Sequence, residues 1–171
     1  MSTLTPTERA HTDRIAALFD AESASLLGYF IRRVDNREDA ADCVAETALA
    51  LWRRAADLPE TPERARMWMY GIARRVLATQ RRGAIRRSAL ADRLREEVSA
   101  SSESPAPELD EVRYAVRLLP AREQELIGLV HWEGFTVTEA AEVIGIRAGT
   151  AQMRYSRARN RLRAALDSPR A

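Results

Sequence analysis

Six arginines and no acidic residue fall between Arg147 and Arg163. On a helix they would form a face of planar cations that neutralise phosphates and read guanine edges in the major groove. A second concentration, eight arginines and again no acid, lies between Arg64 and Arg87, with Trp68 and Tyr70 among them. Cations interleaved with rings suit single-stranded or melted nucleic acid: rings stack on unpaired bases while guanidinium groups follow the backbone. Trp68, Met69, Ile72 and Val76 also stand at helical spacing, so a core role for Trp68 overlaps with the functional one. No bond-making chemistry is legible. There is no P-loop, no GxGxxG and no nucleophile–base motif, and His11 and His131 have no Cys or carboxylate cluster at metal-ligand spacing. The expectation is a binding protein, not an enzyme, with no cofactor and no metal.

The arginines of the C-terminal stretch need elements to aim them. Thr136 and Glu139 have the spacing of a capping box, which starts a short helix whose apolar face is Ala140, Ala141, Val143 and Ile144. Gly145 breaks the pattern and Ile146 anchors the turn. Ala151, Tyr155, Ala158 and Leu162 then recur at i, i+4, i+7 and i+11, one apolar stripe of a second helix. Gly149, Gln152, Met153, Ser156, Arg157 and Asn160 lie opposite. A small residue at a helix crossing, a glycine free to take positive φ and a small residue on the returning helix make a helix-turn-helix. A solvated hairpin with one basic face has the same spacing. The cap, the glycine and the absence of acids together favour DNA binding.

The remaining chain reads as helices, so the fold class is all-α. A helix is predicted over His11–Arg33, with Ile15, Leu18, Phe19, Leu26, Leu27, Phe30 and Ile31 inside, then a turn at Asp35-Asn36. A second helix is predicted over Arg37–Ala55, burying Ala40, Cys43 or Val44, Thr47 or Ala48, and Leu51. Asp39, Asp42 and Glu46 fall on another side; spacing alone favours a solvated face over a docking surface. Two prolines make Asp57–Glu63 a loop, and a helix resumes at Arg64. Serines, prolines and acids mark a flexible acidic linker over 99–108. It separates two small domains, 10–98 and 109–167. The second opens on a short helix bearing Val112, Val116 and Leu119, and Pro120 is placed to start the next, Ala121–His131.

Composition bounds the rest. Charged residues are 30% and apolar ones 46% of 171, as in a globular protein. The net charge of +2 does not mark a nucleic-acid binder; the distribution of its 27 basic residues, all arginine, does. Cys43 is the single cysteine, which excludes an intrachain disulfide and predicts a reducing, cytoplasmic compartment. It reads as a small core residue. No apolar run approaches a membrane span, and the N-terminus has no signal-peptide core.

Two segments resemble the extracytoplasmic-function (ECF) sigma factors of RNA polymerase. REDAADCVAETALALWRRAADLPETPERARMWMYGIARRVLATQRR is similar to the family's D-A-E-D-x-x-Q-E-T-F-x-x-A-W followed by W-L-Y-x-I-A-R-N. LPAREQELIGLVHWEGFTVTEAAEVIGIRAGTAQMRYSRARNRLR is similar to the family's L-P-x-x-x-R segment and the E-G-x-S-x-x-E-I-A-x-x-L-G-I-S-x-G-T-V-K-S-R that follows it. The resemblance implies a factor that binds core polymerase, recognises minus-35 and minus-10 promoter elements and promotes initiation. It assigns Asp39, Asp42, Glu46, Trp52 and Arg53 to docking on the clamp helices of the β′ subunit. It assigns the loop from Asp57 to Glu63 to capture of a flipped minus-10 base. Trp68, Tyr70, Arg74, Arg75, Arg81 and Arg82 fall to strand opening. Arg147, Thr150, Gln152, Met153, Arg154, Ser156 and Arg157 fall to the minus-35 element. An anti-sigma factor is implied as a partner, although no residue identifies one. The chain departs from the pattern at Ala45, Arg75 and Thr79, and in the reading helix at Gln152, Met153 and Tyr155.

Two other classes fit part of this pattern. A free-standing helix-turn-helix regulator would bind duplex DNA without polymerase, and a helical interaction protein would use its basic faces on an acidic partner.

Overall fold

The computed structural model describes residues 5–94 and 108–167, with side chains over 5–86 and 111–167. Among the described residues there are seven α-helices, a 3-10 turn at Ala55–Asp57 and no strand. The helices are α1 Pro6–Ile31, α2 Arg37–Arg53, α3 Pro62–Leu94, α4 Glu108–Arg117, α5 Ala121–His131, α6 Val137–Ile144 and α7 Ala148–Asp167. They form two compact units that part beside Glu96. The expected linker, apart from Glu108, lies outside the described residues.

The first unit packs α1, α2 and α3 against one another. α1 begins at Pro6 and not near His11. Thr5 Oγ1 accepts the Glu8 N–H at 3.2 Å, and the Glu8 carboxylate accepts the Thr5 N–H at 2.7 Å. This capping box, with Pro6 in the first turn, starts the helix five residues before the predicted His11. Ile15, Leu26, Tyr29 and Phe30 enter the core. Ile31, expected inside, is 43% exposed, and Tyr29 takes the inward position. The Tyr29 ring meets Phe30 and Tyr70 edge-on, at centroid distances of 5.2 and 5.5 Å. α2 contributes Ala40, Cys43, Thr47 and Leu51, all among the expected positions. Thr47 is satisfied where it is buried, since its hydroxyl donates to the Cys43 carbonyl at 2.7 Å.

The connection after α2 is tighter than predicted. The 3-10 turn and an Arg54–Asp57 ion pair of 3.0 Å precede a loop of Leu58–Thr61 only. Leu58 is buried, and Thr61 Oγ1 accepts the Arg64 N–H at 3.4 Å before Pro62 opens α3. α3 runs unbroken to Leu94.

In the second unit α7 packs against α4, α5 and α6. Val116, Leu119, Ile127 and Ala158 form one core cluster, with Tyr155 and Leu162 packed against it. Val112, expected in that core, is 51% exposed. α5 has its predicted bounds, and Pro120 stands just before it at the N-cap. Gln124 donates to the Arg117 and Leu119 carbonyls at 3.0 and 2.7 Å, which satisfies the C-terminal end of α4.

Candidate nucleic-acid interface

The α6–turn–α7 geometry follows from three local devices. Thr136 Oγ1 accepts the Glu139 N–H at 3.2 Å, and Glu139 accepts the Thr136 N–H at 2.7 Å, so the predicted capping box forms. Gly145 ends α6 in the left-handed region at φ 79°. The Gly145 N–H then reaches the Glu142 carbonyl at 3.1 Å, and the Ile146 N–H reaches that of Ala141 at 2.9 Å. These are the paired bonds of a Schellman ending, which turns the chain sharply enough for α7 to cross α6. Ala140, Ala141 and Ala151 are buried at that crossing, where a larger side chain would hold the helices apart.

α7 separates its roles by face. Ala151 and Ala158 are fully buried. Gly149, Gln152, Met153, Ser156, Arg157 and Asn160 are exposed on the other side, Met153 at 59%. Arg147 is exposed, and Thr150 and Arg154 are half-buried at the edges. The helix is braced from behind. Arg161 Nη1 reaches the buried Glu123 carboxylate of α5 at 2.6 Å. Tyr155 Oη and His131 Nε2 are 3.0 Å apart, with the two rings stacked. The sequence reading missed both braces, because their partners lie 38 and 24 residues apart and periodicity within one helix carries no sign of them.

The first unit divides the expected strand-opening residues. Trp68, Arg75 and Arg82 recur at i, i+7 and i+14 along one flank of α3. Trp68 is half-buried, and Arg75 and Arg82 are exposed. Tyr70, Arg74 and Arg81 follow a different stripe. Tyr70 is fully buried against Tyr29, which corrects the expectation that its ring faces unpaired bases. The spacing had placed it among cations; packing of α1 on α3 claims it for the core. Arg74 is half-buried, and Arg81 Nη2 donates to the Arg33 carbonyl at 3.4 Å.

The expected docking face on α2 is similarly resolved. Asp39 serves the unit itself: its two oxygens accept from the Asn36 and Gln80 amides at 3.0 and 2.9 Å. Asp42, Glu46 and Arg53 are exposed, and Trp52 is 41% exposed with its ring edge-on to Phe19 at 6.2 Å. Asp42 and Glu46 rim a groove of about 540 Å³ between α2 and α3, whose other lining includes Ile72, Arg75 and Val76. Cys43 lies in its floor. Burial pushes the Cys43 thiol up, and the charges of Asp39, Asp42 and Glu46 push the same way. The thiolate is disfavoured, as a core role requires. Among the described residues no cluster of three or more His, Cys, Asp or Glu could hold a metal, and no helix is long and apolar enough to cross a membrane.

Residues 18–87 match the family described as Sigma-70 region 2, and residues 109–162 match Sigma-70, region 4. The ECF RNA polymerase sigma factor SigL of Mycobacterium tuberculosis is 30% identical over 162 residues, spanning 88% of this chain and 87% of that protein. The chain belongs to the ECF RNA polymerase sigma factors. It is a promoter-recognising transcription initiation factor. Among solved structures, the sigma factor RpoE in complex with the anti-sigma factor NepR from Bartonella quintana matches with a TM-score of 0.67. Its identity to this chain is 26%, over 93% of this chain and 98% of that one. CnrH, in complex with the cytosolic domain of CnrY, has the same fold at a TM-score of 0.66 and 24% identity, over 91% and 89% of the two chains. In this sigma factor the region 2 match covers α2 and the stripe of Trp68, Arg75 and Arg82, and the region 4 match covers α6, the turn and α7 as far as Leu162.

Proposed function

We propose that this sigma factor divides promoter recognition between its units. α7 reads the minus-35 element as duplex through Arg147, Thr150, Gln152, Met153, Arg154, Ser156 and Arg157. The flank of α3 bearing Trp68, Arg75 and Arg82 holds the separated minus-10 strand, with Arg74 and Arg81 at its margin, and the Leu58–Thr61 loop takes a flipped base. Asp42, Glu46, Trp52 and Arg53 of α2 dock on the clamp helices of core RNA polymerase, and Asp39 supports that face from within. An anti-sigma factor as a regulatory partner is supported by the complex in which RpoE was solved. The mechanism is differential binding: capture of unpaired bases favours the open promoter over the closed one.

The observation that carries this reading is the two-faced α7. Its buried side is alanine, and its outward side is uncharged at the centre and cationic around it. Gln152 and Met153 occupy that centre, where they favour an adenine edge and a thymine methyl respectively. The test is transcription by core polymerase plus the full chain from a library randomised across the minus-35 region. Enrichment of A and T at the central positions, lost on Gln152→Ala with Met153→Ala, is the expected result. A chain that neither associates with core polymerase nor directs it to any start site would overturn the reading.

A further inference from the structure

Arg14 stands on the exposed side of α1, yet it is tied to the loop before α3. Its Nη2 donates to the backbone carbonyl of Pro59 at 2.5 Å and to that of Glu60 at 3.2 Å. Both residues sit in the Leu58–Thr61 loop. The ends of that loop have their own anchors, buried Leu58 on one side and the Thr61 cap on the other. Its middle lies outside every helix, so the two carbonyls have no ladder to accept from. Pro59 has no N–H with which to build a turn of its own. The guanidinium therefore bridges the two consecutive carbonyls that no local device secures.

We propose that Arg14 is a positioning residue for base capture. It holds the Leu58–Thr61 backbone in the shape that receives an unpaired minus-10 base, and so sets how sharply the polymerase complex discriminates among bases there. The inference rests on the reading of this loop given above. A cationic donor to a carbonyl is stronger than a neutral one. A loop already ordered also spares the DNA the cost of ordering it. Arg14 acts through backbone shape alone, so its loss reduces selectivity without altering any loop side chain.

The test uses the full chain bound to core RNA polymerase and fluorescent single-stranded oligonucleotides carrying the minus-10 element, with each position changed in turn to all four bases. Arg14→Met is expected to lower affinity for the preferred strand about tenfold and to flatten the preference at one position. Arg14→Lys recovers part of both, since an ammonium lacks the planar fork. Affinity for core polymerase and for minus-35 duplex stays at the wild-type level. Unchanged discrimination in Arg14→Met would sink the inference, as would a proportional loss of core and strand affinity, which is the mark of a merely structural role. Pro59→Gly combined with Glu60→Gly separates the two levels. If discrimination survives that pair, the loop takes no base and both readings fall. If it collapses while Arg14→Met behaves as wild type, only the role of Arg14 falls.

Discussion

α3 and α7 both carry an acid-free run of arginines, but they treat their other residues differently. α7 fully buries only small side chains, Ala151 and Ala158, rests Tyr155 and Leu162 half-buried against the core, and keeps Gln152, Met153 and Arg157 outside. α3 buries Met69, Tyr70 and Ala73 completely, and its cations are distributed around the rim. The reason is what packs on each. α7 crosses α6 closely, and a close crossing needs alanine. α3 is the wall against which α1 and α2 build their core, so its aromatic residues serve volume first. An aromatic residue among arginines therefore marks a base-stacking surface only when it shares the stripe of the exposed cations. Trp68 meets that condition with Arg75 and Arg82; Tyr70 does not.

The contrast can be broken most directly at Tyr70. Tyr70→Ala should destabilise the first unit by roughly 3–5 kcal/mol, measured by denaturant unfolding. Loss of minus-10 strand binding in a variant of undiminished stability would restore Tyr70 to the surface role and erase the distinction. Next in size is Arg157→Ala on α7. Since Arg157 is exposed and supports no core, it should cost about 1–3 kcal/mol in minus-35 duplex affinity and leave the unfolding midpoint where it was. A lowered midpoint would mean that α7 does not keep its faces separate.

The smallest effect sharpens the comparison at the outer end of the first unit. Hydrogen bonds from the Thr5 backbone and side chain hold the Glu8 carboxyl below the usual carboxylate range. A depressed value in the folded chain means that its contribution is present above the unfolded value and is lost as pH falls through the folded one. Amide exchange in the first turn of α1 should therefore quicken on acidification while the core amides of α3 stay protected. Exchange independent of pH, after correction for intrinsic rates, would show that the capping box does not hold this turn.

Much of the site was legible because its signals are local. The S/T-x-x-E spacing at Thr136, the glycine at 145 and the period of Ala151, Tyr155, Ala158 and Leu162 each act within a turn or two of helix, and the structure contains all of them as read. The same spacing at Thr5 was overlooked although it was equally local. Other features depend on partners far along the chain. Tyr29 replacing Ile31 in the core, Asp39 bound by Gln80, Arg161 on Glu123 and Arg14 on the Pro59 carbonyl are decided by which helix lies alongside.

By itself the sequence determined the all-α class, the helix-turn-helix and the outward face of α7, because helical periodicity and capping depend on neighbours three to eleven residues away. Only the tertiary structure decided which of two aromatics in one basic helix is buried, which acid of α2 is already engaged, and what holds the loop before α3. Those outcomes rest on contacts between segments about 40 residues apart, and no repeat within a single segment encodes them.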